Sequence, residues 1–416
     1  MEYGLIGEKL GHSFSREIHN LLTSYTYELK EIPGCELGAF MKSRAFKGIN
    51  ITIPYKESVI PYLDEIDEAA KAIGAVNTIV NRAGKLIGYN TDFYGMRELL
   101  LSQSMRIENR FVAVLGTGGT SKTACAVAKS LGAGRVVRVS RNPHSYGDIS
   151  YDELEAIKTN VQVIINTTPV GMYPNVNCTP LDITGFSALE SIADAIYNPL
   201  RTKLISDARA RQIRSTGGLY MLVAQAARAA ELFTGDCNMT QKTEIVYRAV
   251  LESKQNIVLT GMPGSGKSTL GRMLAKKSGK VFYDSDVEIE KQTGMNIPEY
   301  FSKYGEKGFR AVETDVIKRL SLLGGIVIAT GGGAVTCREN IDSLAKNGII
   351  VYLDRPISDI RITSNRPLAR NVGDLKMKYD ERHELYEKSA DITVKVKGTE
   401  KSTLCNLINA LKDVKA

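Results

Sequence analysis

The segment GMPGSGKST, which begins at Gly261, has the residue types and the spacing of a phosphate-binding loop. Glycines in such a loop allow backbone N–H groups to curl around phosphate oxygens, and the lysine reaches the β- and γ-phosphates of ATP. The hydroxyl that follows the lysine ligates the Mg²⁺ that accompanies the nucleotide. The sequence therefore predicts an ATP and Mg²⁺ site at Gly264, Ser265, Gly266, Lys267, Ser268 and Thr269.

A second glycine segment, VAVLGTGGTSKTA, has the strand, turn and helix pattern of a dinucleotide-binding loop. It supplies Gly116, Gly118 and Gly119, but Ser121 stands where a third glycine would complete the GxGxxG pattern. A site that prefers NAD places an acidic residue about 20 residues further on, after the next strand. Here that strand ends in SRNP, and Arg141 suits the 2′-phosphate of NADP. The pattern therefore favours NADP.

Short β-branched runs alternate with helical patterns along the chain, which is typical of α/β domains with parallel sheets. Such runs cover residues 111–116, 135–140, 161–168, 256–261, 325–332 and 348–354. Helical segments end at Gly235 and near Lys254, and a new strand starts at Asn256. A chain of 416 residues is too long for one ordinary domain, and the pattern places a boundary near 250–255.

The composition, with 43% hydrophobic and 24% charged residues, is that of a soluble globular protein. We expect no membrane segment, because no apolar run approaches the ~18 residues that span a bilayer, and no signal peptide is evident. The six cysteines are scattered singly, without the spacing of a zinc site. This favours reduced thiols in a cytoplasmic protein. The oligomeric state stays open.

The net charge of +8 is concentrated in residues 254–416, which carry +7 of it. A basic surface that binds nucleic acid is one interpretation, and a phosphate-handling pocket with several arginines is another. No stripe of aromatic residues accompanies the arginines. We therefore favour the pocket and expect small-molecule substrates without a nucleic-acid partner.

Residues 254–416 resemble the shikimate kinase family. After the phosphate-binding loop come FYDSD, GEKGFRAVE, IATGGGAV and the arginine–proline segment SNRPLARN, in that order. The resemblance implies a P-loop α/β domain like that of nucleoside monophosphate kinases, with a parallel sheet, which phosphorylates shikimate with ATP and Mg²⁺. Two departures are Glu384, where the family often has proline, and RPLA in place of RPLL.

The resemblance to kinases also assigns roles to residues. Arg310 and Arg382 would clamp the shikimate carboxylate, which guanidinium groups bind through paired hydrogen bonds. Asp286 would hold the ring hydroxyls and accept a proton, and Asp284 would lie near Mg²⁺ with Ser268. The remaining implied residues are a glycine floor beneath the ring and a catalytic lid arginine that closes on ATP: Gly331, Gly332, Gly333 and Arg366.

Residues 1–250 resemble the shikimate dehydrogenase family. Seven segments match in order: GHSFSREIHN, GINITIPYKE, GAVNTIV, GYNTDFYG, NTTPVGM, YNPLRTKL and GGLYMLVAQAA. The resemblance implies a substrate-binding α/β domain over 1–102, completed by helices at about 236–252, and a Rossmann-like NADP domain over 103–235. It also implies reduction of 3-dehydroshikimate to shikimate with NADPH.

The resemblance places the catalytic pair of this reaction at Lys56 and Asp92, where the lysine would protonate the alkoxide that forms as hydride reaches the ring ketone. It places the substrate contacts at Ser13, Ser15, Thr52, Lys56, Asn77, Asp92, Tyr197 and Gln225. It places the NADP contacts at Gly116, Thr117, Gly118, Gly119, Thr120, Ser140, Arg141, Asn142, Thr167, Ala195, Gly218 and Met221. We interpret His12 as a structural residue.

Together the two resemblances predict a bifunctional enzyme that makes shikimate and then converts it to shikimate 3-phosphate, two consecutive steps toward chorismate and the aromatic amino acids. Two alternatives stay open. The first half could oxidise quinate with NAD, although Arg141 argues against this. One half could instead be a non-catalytic binding or regulatory module, against which the presence of Lys56, Asp92, Lys267 and Asp286 argues.

We expect the substitution Arg141→Asp to weaken the use of NADPH and to spare or improve the use of NADH. The reason is that the guanidinium favours a 2′-phosphate, which NADH lacks. Steady-state reduction of 3-dehydroshikimate with each cofactor measures the preference. If the unsubstituted protein uses NADH as well as it uses NADPH, the interpretation of SRNP is wrong.

Overall fold

The structure, a computed structural model, describes residues 1–11, 13–143, 147–360 and 372–413. The chain forms two compact units, Met1–Leu251 and Glu252–Ala416. Short 3₁₀ helices occur in both units, at Ile60–Tyr62, Lys158–Asn160, Thr240–Lys242, Ala334–Thr336 and Ile357–Asp359.

The first unit begins with a mixed sheet of six strands within its described residues. They are β1 (Tyr3–Gly7), β2 (Tyr27–Glu31), β3 (Gly48–Ile51), β4 (Glu65–Ile66), β5 (Thr78–Arg82) and β6 (Lys85–Tyr89). The order is β2-β1-β3-β5-β6-β4, in which β5 runs antiparallel to both neighbours and the other pairs are parallel. The helices here are α1 (Ser15–Leu22), α2 (Gly34–Ser43), α3 (Glu68–Ile73) and α4 (Thr91–Ser102).

A second sheet, parallel throughout, follows in the same unit. Its strands are β7 (Phe111–Leu115), β8 (Arg135–Val139), β9 (Asp148–Ile149), β10 (Val163–Asn166), β11 (Ser191–Asp194) and β12 (Arg214–Thr216). The order is β12-β11-β10-β7-β8-β9, so the direction of winding reverses between β7 and β10. The accompanying helices are α5 (Gly119–Ser130), α6 (Tyr151–Ile157), α7 (Lys203–Ala210), α8 (Leu219–Thr234) and α9 (Thr243–Lys254).

The second unit contains a parallel sheet in the order β14-β15-β13-β16-β17. Its strands are β13 (Asn256–Thr260), β14 (Val281–Asp284), β15 (Ile326–Ala329), β16 (Gly348–Asp354) and β17 (Ile392–Lys395). The helices are α10 (Lys267–Ser278), α11 (Ser285–Thr293), α12 (Ile297–Ser321), α13 (Arg338–Ala345), α14 (Val372–Ser389) and α15 (Glu400–Asp413). Helix α12 is interrupted at Gly305, where φ is 68°.

The predicted α/β class with parallel sheets is confirmed. The short apolar runs form the central strands because both faces of those strands are covered, as in β7, where Val112, Ala113, Val114 and Leu115 are fully buried. The predicted division at residues 102 and 235 stays a prediction. Helix α8, which precedes the second of these boundaries, also packs on the first sheet through Phe233.

No helix within the described residues is both long enough and apolar enough to cross a bilayer.

Helix α1 carries His19 into the core of the first unit, where its ring stacks on Tyr27 with 3.8 Å between the ring centroids. Its Nδ1 lies 2.7 Å from the hydroxyl of Tyr25. Burial lowers the pKa of His19 to about 3, because a protonated imidazole would lose its water there. The folded protein therefore holds this histidine neutral.

We expect the first unit to lose stability as the pH falls below about 6.5, because the unfolded chain then binds a proton at His19 that the folded chain excludes. This contribution of His19 to the free energy of unfolding is fully present above the pKa that the side chain has in the unfolded chain. Between that pKa and the lower pKa in the folded chain, it falls by up to about 1.4 kcal/mol per pH unit. His19→Gln cannot titrate, so its stability should depend less on pH. Denaturant unfolding between about pH 7.5 and 5.5 measures both slopes, and equal slopes would contradict the assignment.

Candidate active sites

Lys56 and Asp92, the residues predicted to transfer a proton, lie side by side in the first unit. Lys56 belongs to the turn after β3, close behind Thr52, and Asp92 belongs to the first turn of α4. The lysine Nζ lies 2.5 Å from Asp92 Oδ2, and the two side chains are 14% and 9% exposed. Water screens such a pair weakly, so the carboxylate holds the ammonium group firmly in place.

Asn77 holds the second oxygen of the Asp92 carboxylate. Its Nδ2 donates to Asp92 Oδ1 at 2.9 Å and to Thr91 Oγ1 at 3.0 Å. Gln225, on α8, accepts from the Thr91 hydroxyl at 3.3 Å. The structure therefore brings Lys56, Asp92, Asn77 and Gln225 into one network. Sequence reasoning missed Thr91, whose one signal is its place before Asp92 in GYNTDFYG.

The hydroxyl groups predicted to bind the substrate carboxylate lie together near the start of α1 and after β11. Ser13 Oγ donates to Ser15 Oγ at 3.1 Å, and the Tyr197 hydroxyl is hydrogen-bonded to Ser13. Burial raises the pKa of Tyr197, so its phenol stays protonated. Three neutral hydroxyl donors in one place are suited to bind a carboxylate.

The predicted dinucleotide loop connects β7 to α5, at the point where the strand order of the second sheet reverses. Gly116 has a φ of 112°, and a Cβ there would lie 2.8 Å from Thr167 Oγ1. A Cβ at Gly118 would meet nothing within 4 Å, so this side of the loop is open. Ser121 donates to the Gly116 carbonyl at 2.6 Å and so ties the loop where a third glycine is absent. Thr117 also belongs to this loop, and Gly119 and Thr120 are the first two residues of α5.

The segment predicted to bind the 2′-phosphate follows β8, which is where dinucleotide folds place this group. Asn142 N donates to Ser140 Oγ at 3.1 Å, which folds the segment into a tight turn. Arg141, in the middle of the turn, is exposed and available to an anion.

Three further predicted cofactor contacts, Ala195, Gly218 and Met221, lie near one another after β11 and at the start of α8. A Cβ at Gly218 would lie 2.2 Å from the carbonyl oxygen of Ala195, so no side chain fits there. Met221 is buried in the first turn of the helix.

In the second unit, the predicted phosphate-binding loop connects β13 to α10. Gly264 and Gly266 have φ values of 85° and 99°, a left-handed backbone that favours glycine. Lys267 Nζ donates to the carbonyls of Gly261 and Met262 at 2.8 and 2.9 Å, so the ammonium lies across the loop. The loop leads into the N-terminus of α10, where the free backbone N–H groups and the helix dipole favour the binding of phosphate. Two further predicted residues differ in exposure, since Ser265 is buried and Thr269 is exposed.

Ser268 and Asp284, the predicted Mg²⁺ residues, lie in direct contact. Ser268 Oγ donates to Asp284 Oδ2 at 2.6 Å, and the other carboxylate oxygen accepts from Asp286 N at 3.1 Å. A hydroxyl and a carboxylate are oxygen ligands of the kind that Mg²⁺ prefers when water and phosphate complete its shell. Among the described residues there is no cluster of three His, Cys, Asp or Glu side chains that could bind a metal without such help.

Asp286 lies beside the predicted glycine floor. A Cβ at Gly331 would lie 2.7 Å from Asp286 Oδ1 and 2.9 Å from Glu313 Oε1, so any larger residue would displace one of these carboxylates. Burial, together with the negative charge of Asp284, raises the pKa of Asp286 to about 6. A carboxylate with a raised pKa is a stronger base, which suits a group that accepts a proton from a hydroxyl.

Arg310 lies against the same floor, since a Cβ at Gly333 would come within 2.4 Å of its guanidinium. Its Nη1 donates to Glu313 Oε2 at 2.7 Å and its Nη2 donates to Glu306 Oε1 at 3.2 Å. Sequence reasoning did not assign Glu313, although it closes the GExxFRxxE segment and follows Arg310 at the i+3 spacing of a helix. This buried carboxylate orients the guanidinium.

Arg382, on α14, contacts the next glycine of the floor, Gly332. Its Nη1 donates to the carbonyl of Gly332 at 3.1 Å, its side chain is buried, and its Nε has no hydrogen-bond partner among the described residues. Tyr386 donates to the same carbonyl from one turn further along the helix. Two arginines thus border the glycine floor from different helices. Two other residues considered from the sequence, His12 and Arg366, lie outside the described residues.

Family models match a segment in each half of the chain. Residues 5–79 match the shikimate dehydrogenase substrate binding domain, and residues 263–412 match shikimate kinase.

Among curated proteins, the chain is 38% identical over 250 residues to a shikimate dehydrogenase (NADP(+)) of Clostridium perfringens, covering 56% of this chain and 92% of the relative. It is 38% identical over 268 residues to a shikimate dehydrogenase (NADP(+)) of Clostridium beijerinckii, covering 61% and 98%.

Solved structures give the same picture. Shikimate dehydrogenase 1 from Peptoclostridium difficile has a TM-score of 0.56 and 33% identity, covering 60% of this chain and 98% of that one. A chorismate mutase/shikimate 5-dehydrogenase fusion protein from Clostridium acetobutylicum has a TM-score of 0.55 and 37% identity, covering 60% and 96%. This chain therefore belongs to the shikimate dehydrogenase family, and a shikimate kinase domain follows the dehydrogenase part in the same chain.

Proposed function

We propose that the chain catalyses two consecutive reactions, the reduction of 3-dehydroshikimate to shikimate with NADPH and the phosphorylation of shikimate by ATP to shikimate 3-phosphate. The Lys56–Asp92 pair, buried in a hydrogen-bonded network at the edge of the dinucleotide loop, carries the first assignment. The two arginines that border a glycine floor beside a phosphate-binding loop carry the second.

In the first reaction, the loop between β7 and α5 together with Arg141 would hold NADPH, which when bound would supply a hydride to the ring ketone. Lys56 donates the proton that the developing alkoxide needs, and Asp92 orients the ammonium group through its hydrogen bond. Asn77, Gln225 and Thr52 contact the ring hydroxyls. The cluster of Ser13, Ser15 and Tyr197 binds the carboxylate and so fixes which ring carbon faces the cofactor.

In the second reaction, Lys267 and the loop amides hold the phosphates of ATP, and Ser268 and Asp284 hold Mg²⁺. Asp286 accepts the proton of the attacking hydroxyl. Arg310 and Arg382 bind the shikimate carboxylate, so the ring is positioned before the phosphoryl group transfers.

We also propose three domains: residues 1–102 with 236–252, residues 103–235, and residues 254–416. The enzyme would work in the cytoplasm, which its six free cysteines support.

Two alternatives remain. The first half could be a quinate dehydrogenase that uses NAD, or one half could be a regulatory module without activity. One coupled assay separates them: the full chain receives 3-dehydroshikimate, NADPH and Mg-ATP, and shikimate 3-phosphate is measured. Product from this mixture, and none when either NADPH or ATP is omitted, is the expected result.

We expect Lys56→Ala to abolish reduction of 3-dehydroshikimate and to leave phosphorylation of shikimate nearly intact, because the two sites use residues of different units. General acid catalysis contributes about 10²–10⁴-fold, so a fall in turnover of less than about tenfold would count against the assigned role. Lys122→Ala is the matched control, since Lys122 pairs with Glu57 nearby at 2.8 Å and contacts neither Asp92 nor the network around it.

We expect Arg310→Ala and Arg382→Ala each to weaken shikimate binding and kcat/KM by on the order of 2–5 kcal/mol. The reason is that each change leaves the carboxylate of bound shikimate with one guanidinium partner instead of two. ATP-analogue binding without shikimate should barely change, since Lys267 and the loop amides hold the phosphates. Arg319→Ala, which removes a half-exposed guanidinium from the same helix as Arg310, is the control. Weaker nucleotide binding with unchanged shikimate binding in Arg310→Ala would show that the arginines are wrongly assigned.

A further inference from the structure

The ammonium group of Lys56 has a second partner besides Asp92, and this partner lies at the start of α5, directly after the cofactor loop. Lys56 Nζ donates to Thr120 Oγ1 at 3.1 Å, across 64 positions of sequence. Thr120 lies in the first turn of α5, directly after Gly119. The proposed proton donor is thus in contact with the loop that is proposed to bind NADPH.

This contact is part of a wider one between the start of α5 and the segments that carry Lys56 and Asp92. A Cβ at Gly119 would lie 3.3 Å from Lys56 Cβ, so the lysine stem packs directly on the loop. One turn further along, Thr123 Oγ1 accepts from Asn90 Nδ2 at 3.2 Å. The position of Thr120 relative to Lys56 is therefore fixed by packing around it, not by the one hydrogen bond alone.

A lysine ammonium has three N–H groups in a tetrahedral arrangement. With one partner the ammonium still has two N–H groups that could point at a substrate, whereas two partners leave a single N–H in the remaining tetrahedral direction. Asp92 and Thr120 are two such partners, at 2.5 and 3.1 Å. The third N–H then has one defined direction in which to deliver its proton.

We propose that Thr120 is a positioning residue for the dehydrogenase reaction, whose hydroxyl, together with Asp92, orients the Lys56 ammonium so that its remaining proton points at the substrate oxygen. The inference rests on the proposed function of the first unit. It gives Thr120 a role toward Lys56 that is separate from any contact with the cofactor phosphates. The hydroxyl matters for this role and the methyl group does not.

The test compares Thr120→Val, which removes the hydroxyl at nearly constant shape, with Thr120→Ser, which keeps it. Ser130→Ala is the control, because it removes a hydroxyl from the last turn of the same helix, where Ser130 Oγ donates to the carbonyl of Val127 at 2.8 Å. For each protein we would measure kcat and KM for 3-dehydroshikimate at saturating NADPH, the solvent deuterium isotope effect on kcat, and Kd for NADPH by fluorescence. Shikimate phosphorylation by the same sample serves as the reference for the amount of chain, and Kd for NADPH reports whether the first unit is folded.

We expect Thr120→Val to lower kcat by about tenfold, the order of effect of a hydrogen bond to a charged group, with a smaller change in KM. The solvent isotope effect should rise, because proton transfer becomes slower, and Kd for NADPH should change less than about threefold. Thr120→Ser should restore most of kcat, and Ser130→Ala should leave the isotope effect unchanged.

A Thr120→Val protein with unchanged kcat at saturating NADPH overturns the inference, and if its Kd for NADPH alone is raised, Thr120 acts on the cofactor only. Failure of Thr120→Ser to restore activity also overturns it, because the hydroxyl is then not the group that matters. If the unsubstituted chain does not reduce 3-dehydroshikimate, the proposed function itself fails, and the inference fails with it.

Discussion

A charged side chain that loses contact with water is stable only where an opposite charge or several hydrogen bonds compensate for the lost solvation. Both proposed sites depend on this constraint. Lys56 is held between Asp92 and Thr120, and Arg310 is held between Glu313 and Glu306. In each case the compensating group also fixes the direction of the charge. The same contacts that permit burial therefore prepare the group for a ligand.

Close approach of the backbone is the second condition that both sites share. Gly116, Gly331 and Gly333 each lie where a Cβ would come within 3 Å of a polar side-chain atom. All three follow the carboxyl end of a parallel strand, where loops from neighbouring strands converge. Because glycine has no side chain, these loops leave space at the ends of the strands. Polar side chains from elsewhere in the unit can therefore approach the loop backbone.

Much of this arrangement could be predicted from the sequence, because parallel strands and glycine loops are local patterns. The loops at Gly116 and Gly261 and the strands before them follow from residue type and spacing over fewer than 20 positions. The Lys56–Thr120 contact could not be predicted in this way, because it joins residues 64 positions apart and depends on how α5 packs. Glu313 lies between these cases, since its spacing from Arg310 is local but its burial is a property of the folded unit.

The charge of the second unit has a physical explanation in its proposed ligands. Asp284, Asp286 and Glu313 already bring three carboxylates toward the glycine floor and the phosphate-binding loop. ATP and shikimate add further negative charge, which would repel these groups if nothing opposed it. Lys267, Arg310 and Arg382 oppose it locally, and the excess of basic residues over 254–416 lowers the electrostatic free energy of bringing two anions together. The excess of basic residues in this half of the chain therefore has a physical explanation in the two anionic ligands that we propose for the second unit.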